Sequence, residues 1–323
     1  MVKKPNFKIE AKGKDITEKI RKNLIVLSFD DKEADESDEI SFTLKGLYSK
    51  PIFGDDLKLW LGWDDNLYLC GTFSVNLVSK DYKNLSTEIR ATAVNFASNQ
   101  QKEKKRRTWE NTSLFEIARK IANENSLKIK TTSEDMQIVS KLQDNVGDVE
   151  FLYGLAFEFG YLMAIKNDTI ILSIKDKLGK ETTSLTPKNE SLPIFKLQIE
   201  ELEALNITDS NRNSYDNVIL EWQDIEAGKL KSIQVGSGNN SYKMQIAQPK
   251  TDAEAFKKGE AKLNELQKGG INGKCSLLGA NIIAGGKLKF MGVDELRESE
   301  FSIKQVSHSL TTSSYSIDIH FEG

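Results

Sequence analysis

Apolar and polar residues alternate with period two in a series of short segments bounded by Gly, Asn, Asp or Ser, the grammar of antiparallel strands joined by tight turns. One such series occurs twice. The first copy reads G-D-D-L-K-L-W-L-G from Gly54, then F-S-V-N-L-V-S from Phe73, then a run ending T-E-I-R-A-T-A at Ala93. The second reads G-G-K-L-K-F-M-G from Gly285, then F-S-I-K-Q-V-S from Phe301, then S-Y-S-I-D-I-H-F ending at Phe321. Phe73 matches Phe301, Val75 matches Ile303, Val78 matches Val306 and Ser79 matches Ser307. Leu57, Leu59 and Leu61 share one strand face, as do Leu288 and Phe290. Gly54, Gly62, Gly285 and Gly292 close the segments, where turns or bulges ask for positive φ. The pattern therefore predicts two diverged copies of one β unit.

Upstream, Asn6 to Glu10, Leu24 to Phe29 and Ile40 to Leu44 alternate as strands, with a short turn or helix at Asp15 to Lys22. The acidic stretch Asp30 to Glu39 lacks the D-x-D-x-D-G order of a calcium loop and is expected to be solvated. The basic run Gln100 to Arg107, followed by Trp109, is expected to be a charged linker, with an acidic protein partner as the second reading and nucleic acid a distant third.

The period then changes. Ser113 and Glu116 form a capping box ahead of the stripe Leu114, Ile117, Ala118, Ile121, Ala122. A second helix, N-capped by Asp148, turns Phe151, Leu152, Leu155 and Phe159 inward and stops at Gly160. A short strand at Leu127 to Lys130 and a hairpin about Asn167-Asp168 complete a small α+β insert. Residues 177–193 are polar and loop-like; Ile194 to Ile199, Val218 to Trp222 and Tyr242 to Ala247 are strand candidates. Thr251 and Glu254 cap a helix near 252–268 that ends at Gly269-Gly270 and buries Phe256, Leu263 and Leu266. The domains expected are 1–98, a first β tube domain; 99–180, the α+β insert; and 181–323, a second β tube domain carrying that helix.

Composition narrows the function. The 323 residues are 29% charged, yet the net charge is only −3, so no overall field draws the chain to nucleic acid. Cys70 and Cys275 are far apart in sequence, there is no secretory leader, and no apolar run reaches membrane-spanning length, which together suggest a soluble chain made in a reducing cytoplasm. His308 and His320 show no ligand spacing, G-x-S-x-G is absent, and Gly269 to Ser276 departs from a phosphate loop in spacing and in Cys275. No catalytic, metal or cofactor residue is nominated, and an enzyme is not expected.

These segments, in order, resemble the late control gene D family of contractile-tailed phages, the baseplate hub proteins, whose fold is similar to the hub portion of type VI secretion spike proteins. The resemblance rests on F-K-I-E-A-K-G-K-D-I-T near the start, S-D-E-I-S-F-T-L at Ser37, both β copies, R-T-W-E-N-T-S-L-F-E-I-A-R-K-I-A and D-V-E-F-L-Y-G-L-A-F-E-F-G-Y. It is weak over residues 177–250, and Glu300 and Ser314 stand where such proteins usually have Gly. Gly54, Gly62, Phe73, Trp109, Phe151, Gly160, Gly292, Phe301 and His308 are its fold-signature positions. The resemblance implies a homotrimer with a pseudo-sixfold ring of β domains. The ring would adapt a hexameric tail tube to a trimeric spike and meet the tape-measure protein and other baseplate proteins, in a virion tail assembled in the host bacterial cytoplasm. Neither a membrane nor specific nucleic-acid binding is implied. Because the chain ends at Gly323, just past the second copy, the spike is expected to be a separate protein. The alternative from another class is a tail-associated cell-wall hydrolase housed in the 148–174 segment. A transcription regulator, the third reading, lacks a helix-turn-helix beside a basic surface.

Overall fold

The computed structural model describes residues 3–33, 37–49, 55–93, 103–131, 135–166, 169–174, 193–209, 215–267, 271–296 and 299–323. The first β unit contains β1 (Pro5–Ala11), β2 (Lys14–Asp15), α1 (Thr17–Arg21), β3 (Leu24–Lys32), β4 (Glu39–Lys45), β5 (Asp56–Trp63), β6 (Asn66–Asp81) and β7 (Ser86–Thr92). A mixed segment follows: β8 (Lys104–Ser113), α2 (Leu114–Glu124), β9 (Lys128–Thr131), β10 (Gln137–Gly147), α3 (Asp148–Glu158), β11 (Tyr161–Lys166) and β12 (Thr169–Ile174). The second β unit begins with β13 (Ile194–Gln198) and β14 (Leu202–Asp209). It is interrupted by β15 (Asn217–Asp224), β16 (Lys229–Gly236), β17 (Ser241–Gln245) and α4 (Asp252–Gln267). It then resumes with β18 (Ile271–Leu278), β19 (Lys287–Met291), β20 (Phe301–Leu310) and β21 (Tyr315–Glu322). The architecture is mainly β with α+β insertions.

The repeat is deeper than three segments. Across the sheet the first unit runs β1-β5-β6-β7-β4-β3 and the second runs β13-β19-β20-β21-β18-β14, so six strands correspond in both chain order and spatial order. Irregularities correspond too. The β6–β7 ladder skips Asn76 between Val75 and Leu77, and the β20–β21 ladder skips Lys304 between Ile303 and Gln305. The β3–β4 ladder skips Ile25 between Leu24 and Val26, and β14–β18 skips Glu203 between Leu202 and Ala204. A bulge re-aims every side chain beyond it, so keeping it in place keeps the inward face of a duplicated strand inward. One difference is that β1 lies antiparallel to β5 whereas β13 lies parallel to β19.

The two units meet edge to edge. β3 pairs antiparallel with the second half of β20, from Gln305 opposite Lys32 to Leu310 opposite Leu27, fusing both into one thirteen-stranded sheet. A single core serves both, including Leu57, Leu59, Leu61, Phe73, Leu288, Phe290, Phe301 and Phe321. The mixed segment has its own core around α2, α3 and β11–β12, and residues 217–267 form a smaller one in which Val218, Leu220 and Trp222 meet Ala255 of α4. Phe256, predicted to face inward on α4, is exposed instead, and Ala255, one residue earlier on the helix, is the buried position.

Candidate assembly interface

At the joint between the β units, the backbone ladder is reinforced on both faces. On one, the Ser307 hydroxyl donates to Asp30 Oδ1 at 2.5 Å and Gln305 Nε2 donates to the same oxygen at 3.2 Å. On the other, His308 stacks on Phe29 with ring centroids 5.1 Å apart, and Phe73 meets Phe29 edge-on at 5.7 Å. A row of phenols runs on from there. Tyr315 Oη lies 2.9 Å from His308 Nδ1 and 2.5 Å from Tyr68 Oη, while Trp63 Nε1 donates to the Gly279 carbonyl at 2.7 Å. Burial pushes both phenols up in pKa and pushes His308 down to about 3, so the imidazole is neutral and the phenols keep their protons. Strands from both units supply this row, so it forms only when the units are docked.

Several sequence expectations change here. The described parts of the acidic stretch are not a solvated loop: β3 continues through Asp30 and Asp31 to Lys32, β4 begins at Glu39, and Asp31 and Asp38 are buried. Asp31 Oδ2 accepts from the Ala284 backbone N–H at 2.8 Å, tying the two units together once more, and Asp38 Oδ1 accepts from the Lys32 N–H at 3.0 Å. Nor is Lys104 to Arg107 a linker. It is the first half of β8, paired with β10, and it sends Lys105 and Arg107 inward to the fully buried Asp148 at 2.6 and 2.8 Å. Glu124 completes the cluster, receiving Lys105 at 3.0 Å and Arg107 at 2.8 Å. Desolvation raises the Asp148 pKa, but hydrogen bonds from Gln143 and Lys105 and the Arg107 charge outweigh it and hold the carboxyl below its usual range. Gly147 takes the N-cap position of α3, one residue earlier than predicted, because Asp148 is turned inward to this cluster.

The signature residues do not converge on one site. Phe73, Phe301 and His308 belong to the shared β core, with His308 at the joint. Trp109 and Phe151 lie in the insert core, stacked at 6.3 Å with an interplanar angle of 9°. Gly160 (φ 75°) ends α3 and Gly292 (φ 91°) follows β19. Gly62 serves close approach rather than positive φ, since a Cβ there would stand 2.0 Å from the Asn66 carbonyl oxygen. Gly54, the Asn167-Asp168 turn and Gly269-Gly270 lie outside the described residues. Tyr68, Tyr315, Trp63 and Asp31, which knit the joint, were not singled out from the sequence; the matched positions of the repeat point to strands, not to the edge at which two copies meet. Among the described residues no group of His, Cys, Asp or Glu is placed to hold a metal, and no helix is long and apolar enough to cross a membrane.

The fold is that of phage tail proteins. It superposes on the 43 kDa tail protein of prophage MuSo2 from Shewanella oneidensis with a TM-score of 0.70 at 13% identity, covering 98% of each chain. It matches a component of the type VI secretion system of E. coli with a TM-score of 0.59 at 13% identity, over 97% of this chain and 76% of that one. In sequence, the chain is similar to two curated proteins with the same description, probable baseplate hub protein. That of Escherichia phage P2 is 21% identical over 367 residues, spanning 98% of this chain and 93% of the relative. That of Escherichia phage 186 is 24% identical over 226 residues; the match takes in 68% of this chain and just over half, 56%, of that relative's length. No family model matches the chain.

Proposed function

We propose that this chain is the structural hub of a contractile phage, prophage or tailocin tail baseplate. It acts as a homotrimer whose six β units form a pseudo-sixfold ring, adapting the hexameric tail tube to the trimeric spike and contacting the tape-measure protein and other baseplate proteins. One observation carries the reading: a single chain holds the same six-strand unit twice, fused edge to edge through β3 and β20. Three such chains supply six similar units, so a threefold assembly can seat on a sixfold tube without a symmetry mismatch. The descriptions of the curated relatives and the tail-protein fold support the setting. Assembly takes place in the host cytoplasm, and the work is geometric, not catalytic.

The test is absolute mass by light scattering after size exclusion, on the chain alone and mixed with the spike and tube proteins encoded beside it. A species of three chains, alone or on adding spike, is the expected result. A chain that stays monomeric and binds neither partner at any concentration overturns the reading.

A further inference from the structure

The two copies of the β unit differ at their outermost strand. In the first copy, the chain closes off β1 by itself. The outward N–H and C=O of Ile9 bond the Thr17 hydroxyl at 3.0 Å and the Ile16 N–H at 2.9 Å, and those of Phe7 bond Asn6 Oδ1 at 2.9 Å and Arg21 Nη2 at 3.2 Å. In the second copy, β13 has no such cover. The Lys287 N–H donates to the Pro193 carbonyl at 2.9 Å, which fixes the phase of the parallel ladder. Phe195 and Leu197 turn their backbone groups to β19, and Ile194 and Lys196 turn theirs outward. Among the described residues nothing bonds those outward groups, and the Ile194 side chain beside them is 43% exposed.

Charge differs at the same place. On the outer face of the first unit, Lys8 and Lys58 stand beside Glu10 and Asp56, and Lys8 reaches Glu10 at 2.7 Å. In the second unit Lys287 takes the position of Asp56: Asp56 lies opposite Ser74 and Lys287 opposite the matching Ser302. Glu300 receives Lys287 at 3.3 Å and Lys289 at 2.9 Å. Lys196, paired in register with Lys289 and exposed, has no carboxylate partner among the described residues. The edge that the chain caps is neutral, and the edge it leaves bare is basic.

We infer that β13 is a docking edge for an extended acidic segment of a partner protein, which adds to the sheet as one more strand. The backbone of the added strand takes the outward groups of Ile194 and Lys196, which otherwise pair only with water. Its residues on the outer face are Asp or Glu, set against Lys196 and Lys289. Its alternate residues are apolar and lie beside Phe195 and Leu197 at the margin of the shared core. A second copy of β13 does not fit, because antiparallel pairing about the middle of Ile194–Gln198 sets Lys196 against Lys196. The edge lies on the branch that β19 makes with the first half of β20, whereas β3 takes the second half, so the docking draws on neither the joint nor the ring.

The test is fluorescence anisotropy on the full chain with a short labelled peptide of alternating glutamate and valine, beside one of alternating lysine and valine. The glutamate peptide is expected to bind and the lysine peptide is not. Lys196→Pro removes an outward N–H and no bond to β19, so it is expected to abolish binding at an unchanged thermal midpoint. Lys196→Glu is expected to weaken binding of the glutamate peptide several-fold, and Lys196→Arg to keep it. Should the proline variant fail to fold, hydrogen exchange on the parent decides: the glutamate peptide is expected to slow the Ile194 and Lys196 amides, and exchange unchanged there overturns the inference. Binding of neither peptide, or binding that Lys196→Pro and Lys196→Glu both leave intact, also overturns it. So does self-association of the free chain that Lys196→Pro abolishes, which would give the edge to a second copy. None of these outcomes bears on the hub reading, which stands or falls on mass and on binding of spike and tube.

Discussion

At the scale of single residues, His308 is the most informative. Its imidazole is buried against Phe29 and the Tyr315 hydroxyl, and burial lowers its pKa from 6.5 to about 3. The folded chain therefore declines a proton that the unfolded chain accepts anywhere between those values, so stability is complete above the unfolded value and falls as the pH drops through it. The slope approaches about 1.4 kcal/mol per pH unit. Urea midpoints between about pH 7.5 and about pH 5.5, a range above the ordinary carboxylate values, isolate this residue. His308→Gln is expected to flatten the dependence, and an unchanged slope would assign the effect to another group. The sequence placed this histidine in a strand and took it to be structural. What it did not disclose was the first unit's surface against it, since Phe29 and Tyr68 come from far away in the chain.

At the scale of elements, legibility followed locality. The alternation of Leu57, Leu59 and Leu61 placed β5 because one buried face is enough to set a period. The capping box of Ser113 and Glu116 started α2 as predicted, with the Ser113 hydroxyl accepting from the Glu116 N–H at 3.2 Å. β8 was misread for the opposite reason: its inward Lys105 and Arg107 read as solvated charge until Glu124 and Asp148, supplied by α2 and α3, neutralise them. The cluster pins the β8–β10 ribbon to both helices. Asp148→Ala is thus expected to destabilise the insert by about 3 kcal/mol, because it leaves two cations in a desolvated pocket with one partner. Loss of helical circular dichroism on heating would report it, at a lower midpoint than in the parent. With its carboxyl pKa depressed, Asp148 contributes above the ordinary carboxylate value, and that contribution disappears as the pH falls through its folded value. Parent and variant should therefore converge in strong acid.

At the scale of the whole molecule, the β3–β20 joint fuses the two copies of the unit into one sheet. An unprotected edge is a hazard, because it pairs with whatever strand arrives first. A chain cut after residue 300 lacks β20 and β21 and leaves β3, β18 and β19 without those partners. It is expected to form large, polydisperse species by light scattering where the full chain gives a discrete one. A discrete, soluble fragment would show that these strands are protected by other means.

The joint also has a consequence in time. Asp30 and Ser307, bonded across it, stand 277 positions apart in sequence. A ribosome has therefore added 277 residues after Asp30 before β3 can find its partner, and β3 waits through that synthesis with its edge uncommitted. Contacts of such separation form slowly, since the long loop must close before any of them is rewarded. On a polysome, where nascent copies crowd together, the race is between closure within a chain and capture by a neighbour. The yield of correctly closed sheets then depends on how fast translation finishes as much as on how stable the finished sheet is.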